Sequence, residues 1–207
     1  MENKNKSTII KDALTLFAIT LVSGLALGFV YELTKPVIAA NELAAKTEAY
    51  QAVFTEAENF AETDELKASV ADSVNILANS GTEGTAIEEA YQAVDASGNA
   101  IGYVMSVTSS KGFGGEIKVS LGITLEGEVT GIEFLTLNET AGLGSKAADE
   151  SYKNQYIGKV VDNFAVVKGE SSAENEIAAI SGATITSQAV TNIVNAAVYF
   201  TKTVGGN

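Results

Sequence analysis

Four hydroxyls fall within seven residues near the end of the chain, at Ser181, Thr184, Thr186 and Ser187 of the stretch SGATITS. Beyond them Val190, Ile193, Val194, Ala197 and Thr201 recur at helical spacing, which predicts a terminal helix from about Thr186 to Thr203. Helix starts carry unpaired N–H groups and the positive end of the helix dipole, a setting that suits a phosphate. The plainer role for a hydroxyl there is capping, and Thr186 or Ser187 is the expected N-cap. Gly182 and Ala183 leave the stretch open to a second molecule. The chain has no His to act as a base, so covalent modification of one of these hydroxyls requires another enzyme's active site. It also has no Cys, which excludes disulfides, thiolate chemistry, zinc–cysteine sites and cysteine-ligated iron–sulfur clusters. Redox chemistry would have to come from an organic cofactor.

Two glycine-rich stretches are the other candidates. Gly112-Phe113-Gly114-Gly115 lets backbone amides approach a ligand or simply turns between strands. Glu139-Thr140-Ala141-Gly142-Leu143-Gly144 follows a strand and precedes a helix. It has neither the Gly-Lys-Ser/Thr of a phosphate loop nor the full dinucleotide-binding pattern, so a helix-entry turn is its plainer reading.

The elements that must position these residues come in a definite order. Ala13–Tyr31 is nineteen residues without a charge, enough to span a bilayer. Lys4, Lys6 and Lys11 precede it, so the positive-inside rule puts residues 1–12 in the cytoplasm, a transmembrane helix at 13–33 and the rest outside. A cleaved signal peptide competes, with Val37-Ile38-Ala39-Ala40 as its small-residue site, but the apolar run exceeds the usual h-region. Residues 34–85 are expected to form a helical stalk and linker. Pro36 opens a new helix, Ala40, Leu43, Thr47, Tyr50 and Phe54 lie on its apolar face, and a further helix covers Asp64–Leu77. Residues 86–207 are the expected extracytoplasmic domain. There Ile101, Tyr103, Met105 and Val107 alternate, as do Ile117, Val119, Leu121 and Ile123, which predicts half-buried strands. Glu126-Gly127 turns the second of these into Val129–Leu137, Ile87–Val94 is a weaker strand, and Lys146–Tyr156 is a helix. Strands followed by helices make an α+β fold built on an antiparallel sheet. The chain of 207 residues carries a net charge of −13, from 13 lysines and 26 acids with no arginine, which excludes a phosphate-tracking nucleic-acid binder.

SGATITS resembles the flavin-attachment motif of the covalent FMN-binding domain family. That family is found in the G subunit of Rnf-type ion-translocating ferredoxin:NAD oxidoreductases and in the C subunit of sodium-translocating NADH:quinone reductases. GFGGEIKV at 112–119, ETAGLG at 139–144 and NQYIGK at 154–159 are similar to its other motifs, in the same order after a single N-terminal span. The chain's length is closer to that of the Rnf protein. The resemblance implies FMN held through a phosphoester to Thr184. It implies a pocket drawn from Ser181, Gly182, Ala183, Thr186, Ser187, Glu139, Thr140, Gly142, Leu143, Gly144, Gly112, Phe113 and Gly115, with no metal. It further implies an electron relay between ferredoxin and NAD, coupled to sodium or proton translocation, with the other members of the complex and a flavin transferase as partners. In such a relay the cofactor carries the chemistry and the protein supplies anchoring, orientation and electrostatics. Three positions depart from the family pattern: Ala141 replaces a proline, Leu137 a histidine, and Ala178 an aspartate. A flavin carrier of another membrane redox system and a tethered binding module without flavin are the alternatives; co-purifying proteins and flavin absorbance separate them.

Overall fold

The computed structural model describes residues 2–205, with side chains described outside 2–10 and 36–46. Two compact units result, Met1–Lys46 and Thr47–Asn207. Helix α1 (Glu2–Val53) accounts for the first and contributes its last turns to the second, and its stretch Lys11–Lys35 is long and apolar enough to cross a membrane. Leu14, Leu16, Phe17, Ile19 and Val22 are exposed on different sides of it, so it is not a buried core helix of this chain. The new helix expected at Pro36 does not start there. Helix α1 continues through the proline, forgoing the one hydrogen bond proline cannot donate. Of the expected apolar stripe, Ala40 and Leu43 lie outside the residues whose side chains are described, while Tyr50 and Phe54 are buried.

The second unit is α+β. Strands β1 (Asn59–Ala61), β2 (Thr85–Val94), β3 (Ala100–Ser109), β4 (Ile117–Thr124) and β5 (Val129–Leu137) form one antiparallel sheet in chain order. Helices α2 (Asp64–Ala71) and α3 (Ser73–Leu77) precede β2. A 3-10 turn (Gly144–Ala148), α4 (Glu150–Lys153), a parallel pair β6 (Ala165–Val167) and β7 (Glu176–Ala178), and α5 (Thr184–Gly205) complete the chain. One face of the sheet, with Tyr103, Met105, Val107, Val119, Leu121 and Ile123, packs against Val190, Ile193, Val194 and Ala197 of α5 to form the main core.

Several boundaries differ from expectation, each for a local reason. The compact unit begins at Thr47, so the expected stalk at 34–85 is divided and most of it belongs to the folded domain. The helix expected over Asp64–Leu77 breaks at Asp72. That residue's N–H caps α2 on Ala68 while its carbonyl accepts from Asn75 and Ile76 of α3. The helix expected over Lys146–Tyr156 breaks at Asp149, whose extended backbone (φ −68°, ψ 140°) ends the 3-10 turn and starts α4.

The strands expected to be half-buried are covered on both faces. Tyr50, Val53 and Phe54, at the end of α1, pack with Val104 and Ala93 on the side of the sheet away from α5. Thr130 Oγ1 donates to the Val53 carbonyl at 2.5 Å, capping one of the open carbonyls of the last helical turn. The backbone at Val53 comes so close that a Cβ at Gly131 would stand 2.6 Å from Val53 Cα and 2.7 Å from its carbonyl oxygen. Gly122, paired with Gly131 in the sheet, faces the same carbonyl, and Gly102 accommodates the Phe54 ring. Three glycines on neighbouring strands thus form a socket for one helix end.

Candidate functional site

Residues from three separate loops meet around one cavity of about 340 Å³ at the start of α5. Phe113 comes from the β3–β4 loop. Glu139, Thr140, Leu143 and Gly144 come from the turn after β5, and Gly182, Ala183, Thr184, Ile185 and Thr186 from the approach to α5 and its first turn. The turn after β5 is held by its own bonds, with Leu143 N–H donating to the Thr140 carbonyl at 3.1 Å and Gly142 N–H to Ser145 Oγ at 3.0 Å. The approach to α5 turns at Gly182, where φ is +78°, a conformation that costs a residue with a Cβ about 1–2 kcal/mol.

The hydroxyls of the SGATITS stretch fall into two pairs. Thr186 and Ser187 are buried, at 1 % and 0 % exposure, while Ser181 and Thr184 are exposed. The expectation that Thr186 or Ser187 caps the helix is corrected. Helix α5 begins at Thr184, so both lie inside its first turn, and Ala183, with no side-chain oxygen, stands at the capping position. Ser187 Oγ turns backward instead, accepting from Ile180 N–H and donating to the Ala183 carbonyl, both at 3.0 Å. It ties the approach segment to the helix. Thr184 is the first helical residue, not a residue upstream of it, and its hydroxyl has no hydrogen-bond partner among the described residues. The expected residues Ser181, Ser187, Gly112, Gly115 and Gly142 do not line the cavity.

Buried tyrosines support this first turn from below. Tyr156 Oη lies 2.8 Å from Thr191 Oγ1, Thr191 donates to the Ser187 carbonyl at 2.9 Å, and Tyr152 Oη lies 3.1 Å from Tyr156 Oη. Burial pushes both phenols above their ordinary range, so they remain neutral hydrogen-bonding groups. Gln155 of NQYIGK clasps β7, its Oε1 accepting from Ala178 N–H at 2.7 Å and its Nε2 donating to the Ala178 carbonyl at 3.4 Å. Ala178 is therefore used through its backbone.

The sequence reading missed Ile185, an apolar side chain 55 % exposed that lines the cavity beside Thr184. Its signal was the apolar residue set between two hydroxyls at a helix start. With Phe113 (69 %) and Leu143 (42 %) it gives the cavity an exposed apolar rim, while Glu139, Thr140, Thr184 and Thr186 supply the polar groups. An apolar wall with few polar groups, placed at a helix N-terminus, fits a flat aromatic ring carrying a phosphate.

Comparison with known proteins agrees with that chemistry. Residues 112–199 match the FMN-binding domain family, and residues 1–53 match the RnfG N-terminal region. The chain is similar to the G subunit of the Na(+)-translocating ferredoxin:NAD(+) oxidoreductase complex of Acetobacterium woodii, 35 % identical over 204 residues and covering 94 % of this chain and 95 % of that one. It is also similar to the G subunit of the proton-translocating ferredoxin:NAD(+) oxidoreductase complex of Clostridium ljungdahlii, 31 % identical over 195 residues, with 91 % and 92 % covered. Among solved structures, the C subunit of the Na(+)-translocating NADH-quinone reductase of Parabacteroides distasonis aligns at a TM-score of 0.47 and 25 % identity, covering 57 % of this chain and 62 % of that one.

Proposed function

Because the chain belongs to the G subunits of ion-translocating ferredoxin:NAD(+) oxidoreductase complexes and carries an FMN-binding domain, we propose that it is the flavin-bearing relay of such a complex, with FMN joined to Thr184 through a phosphoester. The observation that carries the choice of residue is exposure. Of four neighbouring hydroxyls, Thr184 alone is both exposed and on the cavity wall, and its oxygen is engaged by nothing among the described residues. Ser181 is exposed but outside the cavity. Thr186 and Ser187 are buried.

Bound FMN supplies acceptance and release of electrons. The chain's residues hold it and shape its surroundings. The first turn of α5 offers N–H groups and the positive end of a 22-residue helix to the phosphate. Phe113, Leu143 and Ile185 keep water from the ring. The apolar helix at 11–35 anchors the domain, and the lysines before it support a cytoplasmic N-terminus with the domain outside by the positive-inside rule. Its partners are the other membrane proteins of the complex and, during maturation, a flavin transferase. Of the two relatives compared, one is named for proton and the other for sodium translocation, and either ion is consistent with this chain.

The test is a pair of substitutions in the full chain co-expressed with a flavin transferase. Thr184→Ser keeps a hydroxyl and should retain covalent flavin fluorescence on a denaturing gel. Thr184→Ala should lose it without a change in thermal stability, since the Thr184 hydroxyl makes no hydrogen bond among the described residues. Undiminished fluorescence in Thr184→Ala sinks the assignment.

A further inference from the structure

Glu139 fills a space that glycines leave for it. Its Oε1 accepts the Gly114 N–H at 3.2 Å, which ties the turn after β5 to the β3–β4 loop. A Cβ at Gly112 would lie 3.0 Å from that same oxygen. One at Gly144 would lie 2.6 Å from Oε2 and 2.8 Å from Thr186 Oγ1, so the carboxylate also sits close to the first turn of α5. Any side chain at Gly112 or Gly144 would displace the carboxylate or the loops around it. Glu139 lines the cavity and forms no ion pair among the described residues. A single side chain therefore spans the two glycine loops and leaves its charge unneutralised on the cavity wall.

We propose that Glu139 is a positioning residue of this site. Its carboxylate latches the 112–115 loop to the 139–144 turn, and its uncompensated charge lowers the reduction potential of FMN held in the cavity. The latch stands on geometry alone, whereas the effect on potential rests on the proposed attachment at Thr184. The sign follows from Coulomb's law, since a fixed negative charge beside the ring raises the cost of adding electrons to it.

Two variants separate the halves. Glu139→Gln keeps an oxygen that accepts the Gly114 N–H but removes the charge. Glu139→Ala removes both. Hydrogen exchange is measured on the flavin-free full chain in detergent, followed in the peptide that contains Gly114, and potentiometric titration is carried out on the flavin-loaded chain. In Glu139→Ala the Gly114 amide should exchange about tenfold faster or more, as expected for losing a hydrogen bond to a charged acceptor, while in Glu139→Gln it should stay within about threefold of the parent. Loaded Glu139→Gln should titrate at a more positive potential than the parent. Unchanged Gly114 exchange in Glu139→Ala overturns the latch. An unchanged or more negative potential in Glu139→Gln overturns the electrostatic role. A parent chain that takes up no FMN in the presence of the transferase overturns the attachment reading and the electrostatic role with it, while the exchange measurement still decides the latch.

Discussion

Thr130→Val is a near-isosteric change that removes one donor. Thr130 Oγ1 donates to the Val53 carbonyl at 2.5 Å, and that carbonyl is enclosed by Gly122 and Gly131 in the socket behind the sheet, where Val53 is 1 % exposed. Water has no room to replace the lost hydroxyl. A buried carbonyl left without its partner costs about 1–3 kcal/mol, and valine's added methyl recovers little of it in so close a space. For a folded unit of this size, about 1 kcal/mol corresponds to about 2–4 °C, so Tm should fall by about 4–8 °C for a loss of about 2 kcal/mol. The assay is thermal unfolding of the full chain followed by near-ultraviolet circular dichroism, with covalent flavin quantified in parallel. Flavin attachment should be unchanged, because the socket and α5 lie on opposite faces of the sheet. A Tm within about 1 °C of the parent would refute the claim that this bond fastens the helix end. Loss of flavin without loss of stability would refute the separation of the two faces.

Other consequences follow from the same geometry. Gly131→Ala should destabilise more than Thr130→Val, as its Cβ would meet backbone atoms of Val53 that no rotamer change can move; urea unfolding measures this. Ser187→Ala loses both side-chain bonds, the one from the Ile180 N–H and the one to the Ala183 carbonyl, and should cost about 1–2 kcal/mol while retaining flavin, because the attachment hydroxyl is a different one. Lys153 shows a pH signature. Burial acts to lower its pKa, but bonds to Glu133 and Glu150 hold it above the ordinary lysine value of 10.5. A raised lysine stabilises fully below its unfolded value and loses that contribution as pH rises through the folded value. The stability difference between parent and Lys153→Met should therefore be constant up to about pH 10 and shrink above it, read from urea midpoints across the pH range.

Alternation made the sheet legible. Tyr103, Met105 and Val107, like Val119, Leu121 and Ile123, point to the face that α5 covers, and their period of two announces it. The opposite face was hidden because Lys118, Ser120, Gly122 and Thr124 read as a polar side, whereas Gly102, Gly122 and Gly131 are small so that the end of α1 can approach the backbone. Helix ends were misplaced where the local chemistry is atypical. Ala183 stands at the capping position of α5 with no side-chain oxygen to offer, and Ser187, whose type suits a cap, bonds backward from inside the first turn. The short strands β1, β6 and β7 carry too few residues for a period to show. At the site, hydroxyls and glycines marked the loops that matter. Pairing Glu139 with Gly114 across 25 positions depends on tertiary structure alone.

The central claim is that one hydroxyl out of four carries the flavin. Peptide mapping by mass spectrometry, on the chain purified after co-expression with a flavin transferase, tests it most directly, with fragment ions resolving Ser181, Thr184, Thr186 and Ser187. The account predicts the mass of an FMN phosphoester on Thr184 and on no other residue of the peptide. Fragment ions that place it on Ser181, Thr186 or Ser187, or a peptide that carries no flavin at all, contradict the account.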